Sequence, residues 1–167
     1  MTMVVVERWD GVGAYRTVPV YFDDLDSYGM VHHGRYAVLL ERAVMAHWAA
    51  QDVSLGGTGT TGNGQVVQVV RALEVTYEAP ITRMGEIRVH FWIEQVGRTS
   101  YRYAFRLLSA DGSVVHATGR RTQVNLDPAT LRPAPLRTEL LRVAEPFMSE
   151  EARASLTART AGVAVKV

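Results

Sequence analysis

Residues 22–36 read FDDLDSYGMVHHGRY: three aspartates, two glycines and two adjacent histidines, set between a run rich in valine and tyrosine and the apolar AVLLERAVMAHWAA. Residue types of this kind at a strand-to-helix junction suit one chemistry in particular. The residues directly ahead of Gly34 are His32 and His33 rather than Ser, Thr, Asp or Asn, so a helix starting there has no good side-chain cap. Its first N–H groups then lack intrahelical partners at the positive end of the dipole, a place able to receive a carbonyl oxygen as it becomes an oxyanion. A carboxylate from Asp23, Asp24 or Asp26 would stand beside the same carbonyl. Acyl transfer requires this pair: a group to attack or to activate water, and donors for the oxygen.

Other chemistries fit less well. His32, His33 and Asp26 invite a metal, but adjacent residues in a turning segment point different ways and no third histidine stands at ligand spacing. No metal and no cofactor is expected. Asp23 and Asp24 read as turn or surface groups, and only Asp26 as a candidate for chemistry. Glu41 is the rival carboxylate. It lies about 12 Å along the helix from His33, and pairing with Arg42 or a strand arginine suits it better. His47 and His116 read as packed or solvated histidines, while Arg120 and Arg121 would either bind phosphate or solvate a sheet edge.

The elements that must position these groups follow from periodicity. AYRTVPVYF, residues 14–22, reads as a first strand whose proline favours an edge or a start. From Gly34 to Ala50 apolar residues occupy nearly every side of the helical wheel, which predicts a helix of about 25 Å enclosed by protein. SLGGTGTTGNG, residues 54–64, holds five glycines and reads as a connector, or alternatively as a flap over a ligand. Leu73, Val75 and Tyr77 then alternate with Glu74, Thr76 and Glu78, and Ile87, Val89, Phe91 and Ile93 alternate with Arg88, His90, Trp92 and Glu94. Such alternation predicts strands with one buried face.

Tyr101, Tyr103, Phe105 and Leu107 continue the pattern, and Asp111-Gly112 signals a hairpin into a last strand near 113–126. Short turns at 82–85 and 97–99 make the sheet antiparallel throughout. Amphipathic helices near 136–144 and 149–159 follow, and AGVAVKV falls outside regular structure.

A strongly curved antiparallel sheet wrapped around one long central helix buries such a helix economically, so the expected class is α+β and the architecture a hotdog fold. One domain accounts for residues 1–167, with a core at about 14–145 and a helical C-terminal extension at about 136–160. An open sheet of five strands leaves bare edges, which predicts a homodimer or a dimer of dimers.

Composition excludes several function classes. With 18 Lys and Arg against 17 acidic residues the net charge is +1, too small to hold a polyanion, so nucleic acid is not an expected partner. Cysteine is absent, which removes disulfides, thiolate metal sites and a cysteine nucleophile. MTMVVVERWD has too short an apolar run for a membrane span or a signal peptide, and a cytoplasmic location is expected.

DLDSYGMVHHGRY resembles the signature of hotdog-fold acyl-coenzyme A thioesterases of the 4-hydroxybenzoyl-coenzyme A thioesterase type: an Asp followed by x-x-Gly-x-Val, with a Tyr near the helix start. ERA, LEVTYEAPITRMGEIRV, VGRTSYRY and LRPAPLR extend the resemblance from about residue 13 to 145. The resemblance implies that Asp26 is the catalytic carboxylate and that the backbone N–H of His33 polarises the thioester carbonyl. It also implies that Gly29 keeps the turn tight, that Tyr36 stands in the pocket wall, and that Arg98, Thr99 and Ser100 receive pantetheine or the nucleotide phosphates. Some members carry several basic residues in that last loop; here Arg98 stands alone, which favours an acyl carrier protein donor beside acyl-coenzyme A.

The implied activity is hydrolysis of an acyl thioester to a carboxylic acid and a thiol. An aspartate ionised at neutral pH needs no partner base. The D-x-N-x-x-H pattern of hotdog hydratases is absent. The remaining alternative is a non-catalytic acyl-thioester-binding or scaffolding protein on the same fold.

Overall fold

A computed structural model describes residues 11–53 and 67–163. The expected glycine-rich segment at 54–64 lies outside the described residues, as do 164–167. Five strands, β1 (Ala14–Val20), β2 (Val67–Tyr77), β3 (Gly85–Val96), β4 (Ser100–Ser109) and β5 (Val115–Leu126), form one sheet in the order β1-β3-β4-β5-β2. Every neighbouring pair is antiparallel. At the Asp111-Gly112 hairpin Gly112 takes φ +78°, and the Asp111 carboxylate accepts from Ser109 Oγ at 2.5 Å and Ser113 N–H at 3.0 Å.

Between β1 and β2 runs α1 (Arg35–Ala49). Its buried residues Tyr36, Leu39, Leu40, Ala43, Val44 and Trp48 lie on one side, against β1 and β3. The helix is both shorter and less enclosed than its composition predicts, at 15 residues or about 22 Å. Met45, Ala46 and Ala49 are apolar yet exposed, because the sheet of a single copy covers only one side of α1.

Strand β2 departs from expectation for the same reason. It ends the sheet, and its apolar residues stay open: Val70 is 50% exposed, Leu73 39% and Tyr77 50%. On β3 the correction runs the other way. His90, read as solvent-facing, is fully buried beneath the segment leading into β1, with its Nε2 on the Val12 carbonyl at 2.8 Å and the Tyr15 ring stacked at 4.1 Å.

After β5 come α2 (Thr138–Ala144), a short 3-10 turn at Glu145–Phe147 and α3 (Glu150–Val163), so helix continues into the first residues of AGVAVKV. Phe147 packs edge-on against His47, Trp48 and Phe91, closing the core from this end. Among the described residues no helix is long and apolar enough to cross a membrane.

Candidate active site

The loop between β1 and α1 is organised by its aspartates, each in a different way. Asp24 is fully buried, which corrects its reading as a turn or surface group. Its carboxylate takes two hydrogen bonds from Arg42 on α1, at 2.7 and 3.1 Å, and one from the Tyr21 N–H at 2.9 Å. Burial acts to raise the Asp24 pKa, but the Arg42 bond, the Tyr21 N–H and the nearby guanidinium charges outweigh it and hold the group below the ordinary carboxylate value. Asp23 remains on the surface beside Arg35, at 3.5 Å.

Asp26 closes the next turn. Its N–H donates to the Met30 carbonyl at 2.7 Å, and its Oδ1 accepts from the N–H groups of Tyr28 at 2.8 Å and Met30 at 3.2 Å. Gly29 sits inside this turn at φ +73°, a left-handed conformation that favours glycine, which accounts for its place in the motif. With Oδ1 engaged in the turn, Oδ2 of the half-buried Asp26 carries no hydrogen bond among the described residues.

The chain then runs into α1 past His32 and His33. Val31 donates to the Ile81 carbonyl at 2.8 Å and His32 to the Asp24 carbonyl at 2.9 Å, which fixes this strip against the β2–β3 connection. Gly34 occupies the N-cap with no side-chain cap bond, as the sequence indicates. Among the described residues, the His33 N–H meets no protein acceptor.

A cavity of about 300 Å³ opens here, lined by Asp26, Met30, Val31, His33, Tyr36, Tyr77, Glu78, Ala79 and Pro80. Asp26, His33 and Tyr36 therefore come together on one space. Gly29 does not line it and acts through the turn. Met30, Tyr77 and Glu78 belong to the lining and escape the sequence reading; the only sequence signal for the last two is that the β2 alternation stops at Pro80, in VTYEAP.

Arg98, Thr99 and Ser100 stand elsewhere. They form the β3–β4 turn, tied down by Leu136 N–H on the Arg98 carbonyl and Asn125 N–H on the Thr99 carbonyl, at 2.9 and 2.8 Å. Tyr77 pairs with Ala117 on β5, whereas Ser100 pairs with Val124, so about 23 Å of strand separates this turn from the cavity within one chain.

The remaining charged candidates are structural. Glu41 pairs with Arg121, the strand arginine expected for it, and Arg120 pairs with Glu94 at 2.9 Å on the other face of β5. His47 lies half-buried among aromatic rings, and burial lowers its pKa. His116 Nδ1 lies 3.1 Å from the Ala79 carbonyl. Among the described residues no group of three or more potential metal ligands occurs. Trp48 is wholly in the core and Tyr28 is 83% exposed; neither lines the cavity.

The fold has counterparts. The PA5185 protein of Pseudomonas aeruginosa superposes with a TM-score of 0.73 at 22% identity, over 84% of this chain and 95% of that one. Slr0204, a 1,4-dihydroxy-2-naphthoyl-CoA thioesterase from Synechocystis, gives 0.69 at 16% identity, over 78% and 93%. A thioesterase from Thermus thermophilus, solved with coenzyme A and Zn, gives 0.64 at 23% identity, over 83% and 97%. At such identities these likenesses speak for the fold, a hotdog-type sheet with its helices. No curated protein matches the chain. Residues 20–144, from the end of β1 through α2, match the thioesterase-like superfamily. The chain belongs to the thioesterase-like superfamily and is, by that membership, a thioester hydrolase.

Proposed function

We propose that the protein hydrolyses the thioester of an acyl-coenzyme A or an acyl carrier protein in the cytoplasm, with Asp26 as the reacting carboxylate and the His33 N–H as the oxyanion donor. The observation that carries this reading is that Asp26, whose Oδ2 is unbonded, and His33, whose N–H has no acceptor among the described residues, line one cavity. Attack on the carbonyl carbon, by Asp26 or by a water it deprotonates, moves electrons onto the carbonyl oxygen. The His33 N–H then stabilises the charge where it develops, an effect worth roughly 3 to 4 kcal/mol for one well-aimed donor. Collapse expels the thiolate. Direct attack leaves a mixed anhydride for water to open, whereas general-base attack yields the acid at once; the same carboxylate serves both.

The Asp26-centred motif resembles that of the 4-hydroxybenzoyl-coenzyme A type, and the Thermus thermophilus neighbour solved with coenzyme A supports a coenzyme A donor. The donor grip is completed by a second copy. β2 is an edge strand with an open apolar surface, and a two-fold axis through it pairs β2 antiparallel with its counterpart. Val67 lies at the end of β2 next to the 97–100 turn, and Tyr77 at the cavity end. Antiparallel pairing therefore brings the partner's Val67 end, and with it the partner's 97–100 turn, toward the Asp26 cavity. The same pairing would cover the exposed side of α1, so that the 15-residue helix lies enclosed as the hotdog architecture expects.

The test is thiol release from aromatic, short-chain, long-chain and β-keto acyl donors on coenzyme A and on a carrier protein. Release with at least one class is the expected result. Saturable binding of acyl donors with no thiol released would make the protein a binding or scaffolding module instead.

A further inference from the structure

Of the four N–H groups from His32 to Arg35, three have acceptors: His32 on the Asp24 carbonyl at 2.9 Å, Arg35 on the His32 carbonyl at 2.8 Å, and Gly34 on Nδ1 of the His32 ring at 3.1 Å. His33 alone keeps a free N–H among the described residues. The carbonyl of His33 is held too, by a hydrogen bond from the Tyr77 hydroxyl at 3.0 Å. The peptide between His33 and Gly34 is thus tied at both of its polar atoms, its oxygen to β2 and its N–H to the loop itself.

Tyr77 is itself oriented. Its ring meets Tyr36 edge-on, with centroids 4.9 Å apart and an interplanar angle of 84°, and Tyr36 is buried on the first turn of α1. The His32 ring lies against the His33 ring at 4.1 Å. A His32 Nδ1 that accepts from Gly34 carries its ring proton on Nε2.

We propose that Tyr77 and His32 are positioning residues for the oxyanion site: by holding the His33–Gly34 peptide they fix the backbone on the carboxyl side of His33 and keep its free N–H, which belongs to the preceding peptide, in place. This rests on the hydrolase reading above. Released from these bonds, the His33–Gly34 peptide can turn, the torsions on either side of the His33 Cα change together, and the free N–H leaves the position it holds beside the cavity. No cap residue holds this helix start, so the restraint has to come from outside it, from a strand tyrosine and an adjacent histidine.

The test compares Tyr77→Phe, His32→Ala and His32→Asn with the parent protein. Tyr77→Phe keeps the ring against Tyr36 and removes only the hydroxyl. It should lower kcat about tenfold or more, the scale of a small misplacement in a reacting site, with KM, melting temperature and oligomeric size near those of the parent. His32→Ala should do the same, and His32→Asn, whose Oδ1 can accept an N–H two residues on, should recover much of the loss. A Tyr77→Phe protein with the parent's kcat, or equal losses in His32→Ala and His32→Asn, would overturn the proposal.

Amide hydrogen exchange supplies a readout that needs no turnover. The Gly34 amide should be protected in the parent and in His32→Asn and exchange rapidly in His32→Ala; rapid exchange in the parent would also overturn the clamp. A parent that releases thiol from no donor, with Gly34 protected as described, would refute the hydrolase reading and leave the clamp standing.

Discussion

Arg42 on α1 grips the buried carboxylate of Asp24 with two nitrogens, at 2.7 and 3.1 Å, while the backbone carbonyl of Asp24 receives the His32 N–H. One residue therefore joins the helix to the loop that bears the candidate site. Removing one partner of a buried pair strands the other charge, which costs about 3 to 5 kcal/mol. Arg42→Met is expected to destabilise the protein on that scale in urea unfolding. Asp24→Asn should also weaken the fold, and should lower activity through the loosened loop although Asp24 does not line the cavity.

The pH dependence of stability has a source in His90. Burial, with the Arg106 charge acting the same way, lowers its pKa to about 4 against the opposing pull of the Val12 carbonyl. A base depressed in the folded state stays neutral there while the unfolded chain takes up a proton below its ordinary value of 6.5. Stability from this group is complete above that value and is lost as pH falls from about 6.5 toward 4, to the extent of roughly 3 kcal/mol. Urea unfolding at several pH values in this window should show the loss, and His90→Gln should flatten the slope whatever its own stability at neutral pH.

Asp26 carries two duties, and substitutions separate them. Asn keeps an Oδ1 acceptor for the N–H groups of Tyr28 and Met30, so Asp26→Asn should fold and bind while thiol release falls by at least about a hundredfold, the scale of general acid–base catalysis. Asp26→Ala should lose the turn as well, with a lower melting temperature. Near-normal turnover in Asp26→Asn would remove this carboxylate from the reaction.

A charge on the open edge probes assembly. Leu73→Lys, placed on β2 where Leu73 pairs with Arg121 of the same sheet, should give a monomer by light scattering and release thiol much more slowly, because the 97–100 turn of a second copy is then missing. A monomeric Leu73→Lys protein with full activity would show that each chain is complete alone.

The succession of strands along the chain, their antiparallel pairing and the place of the loop were legible in the alternation of residues 73–107 and in the Asp111-Gly112 turn, because period-two patterning and turn chemistry are local properties. So was the missing cap ahead of Gly34. The order in the sheet, with β2 beside β5 and not across the 82–85 turn from β3, was not. What alternation could not reveal is coverage. His90 and Leu73 occupy opposite phases of the same kind of pattern, yet the first is sealed under the entry to β1 and the second lies open on the sheet edge.

The sequence by itself determined which residues could react: one carboxylate in a glycine turn, and a helix start with its N–H groups uncapped. The tertiary structure decided which of them meet. It buried Asp24 against Arg42, turned Oδ2 of Asp26 free, and brought Tyr77 from a strand forty-odd residues away onto the His33 carbonyl. Those outcomes depend on sheet register and on packing between distant segments, which no local spacing encodes.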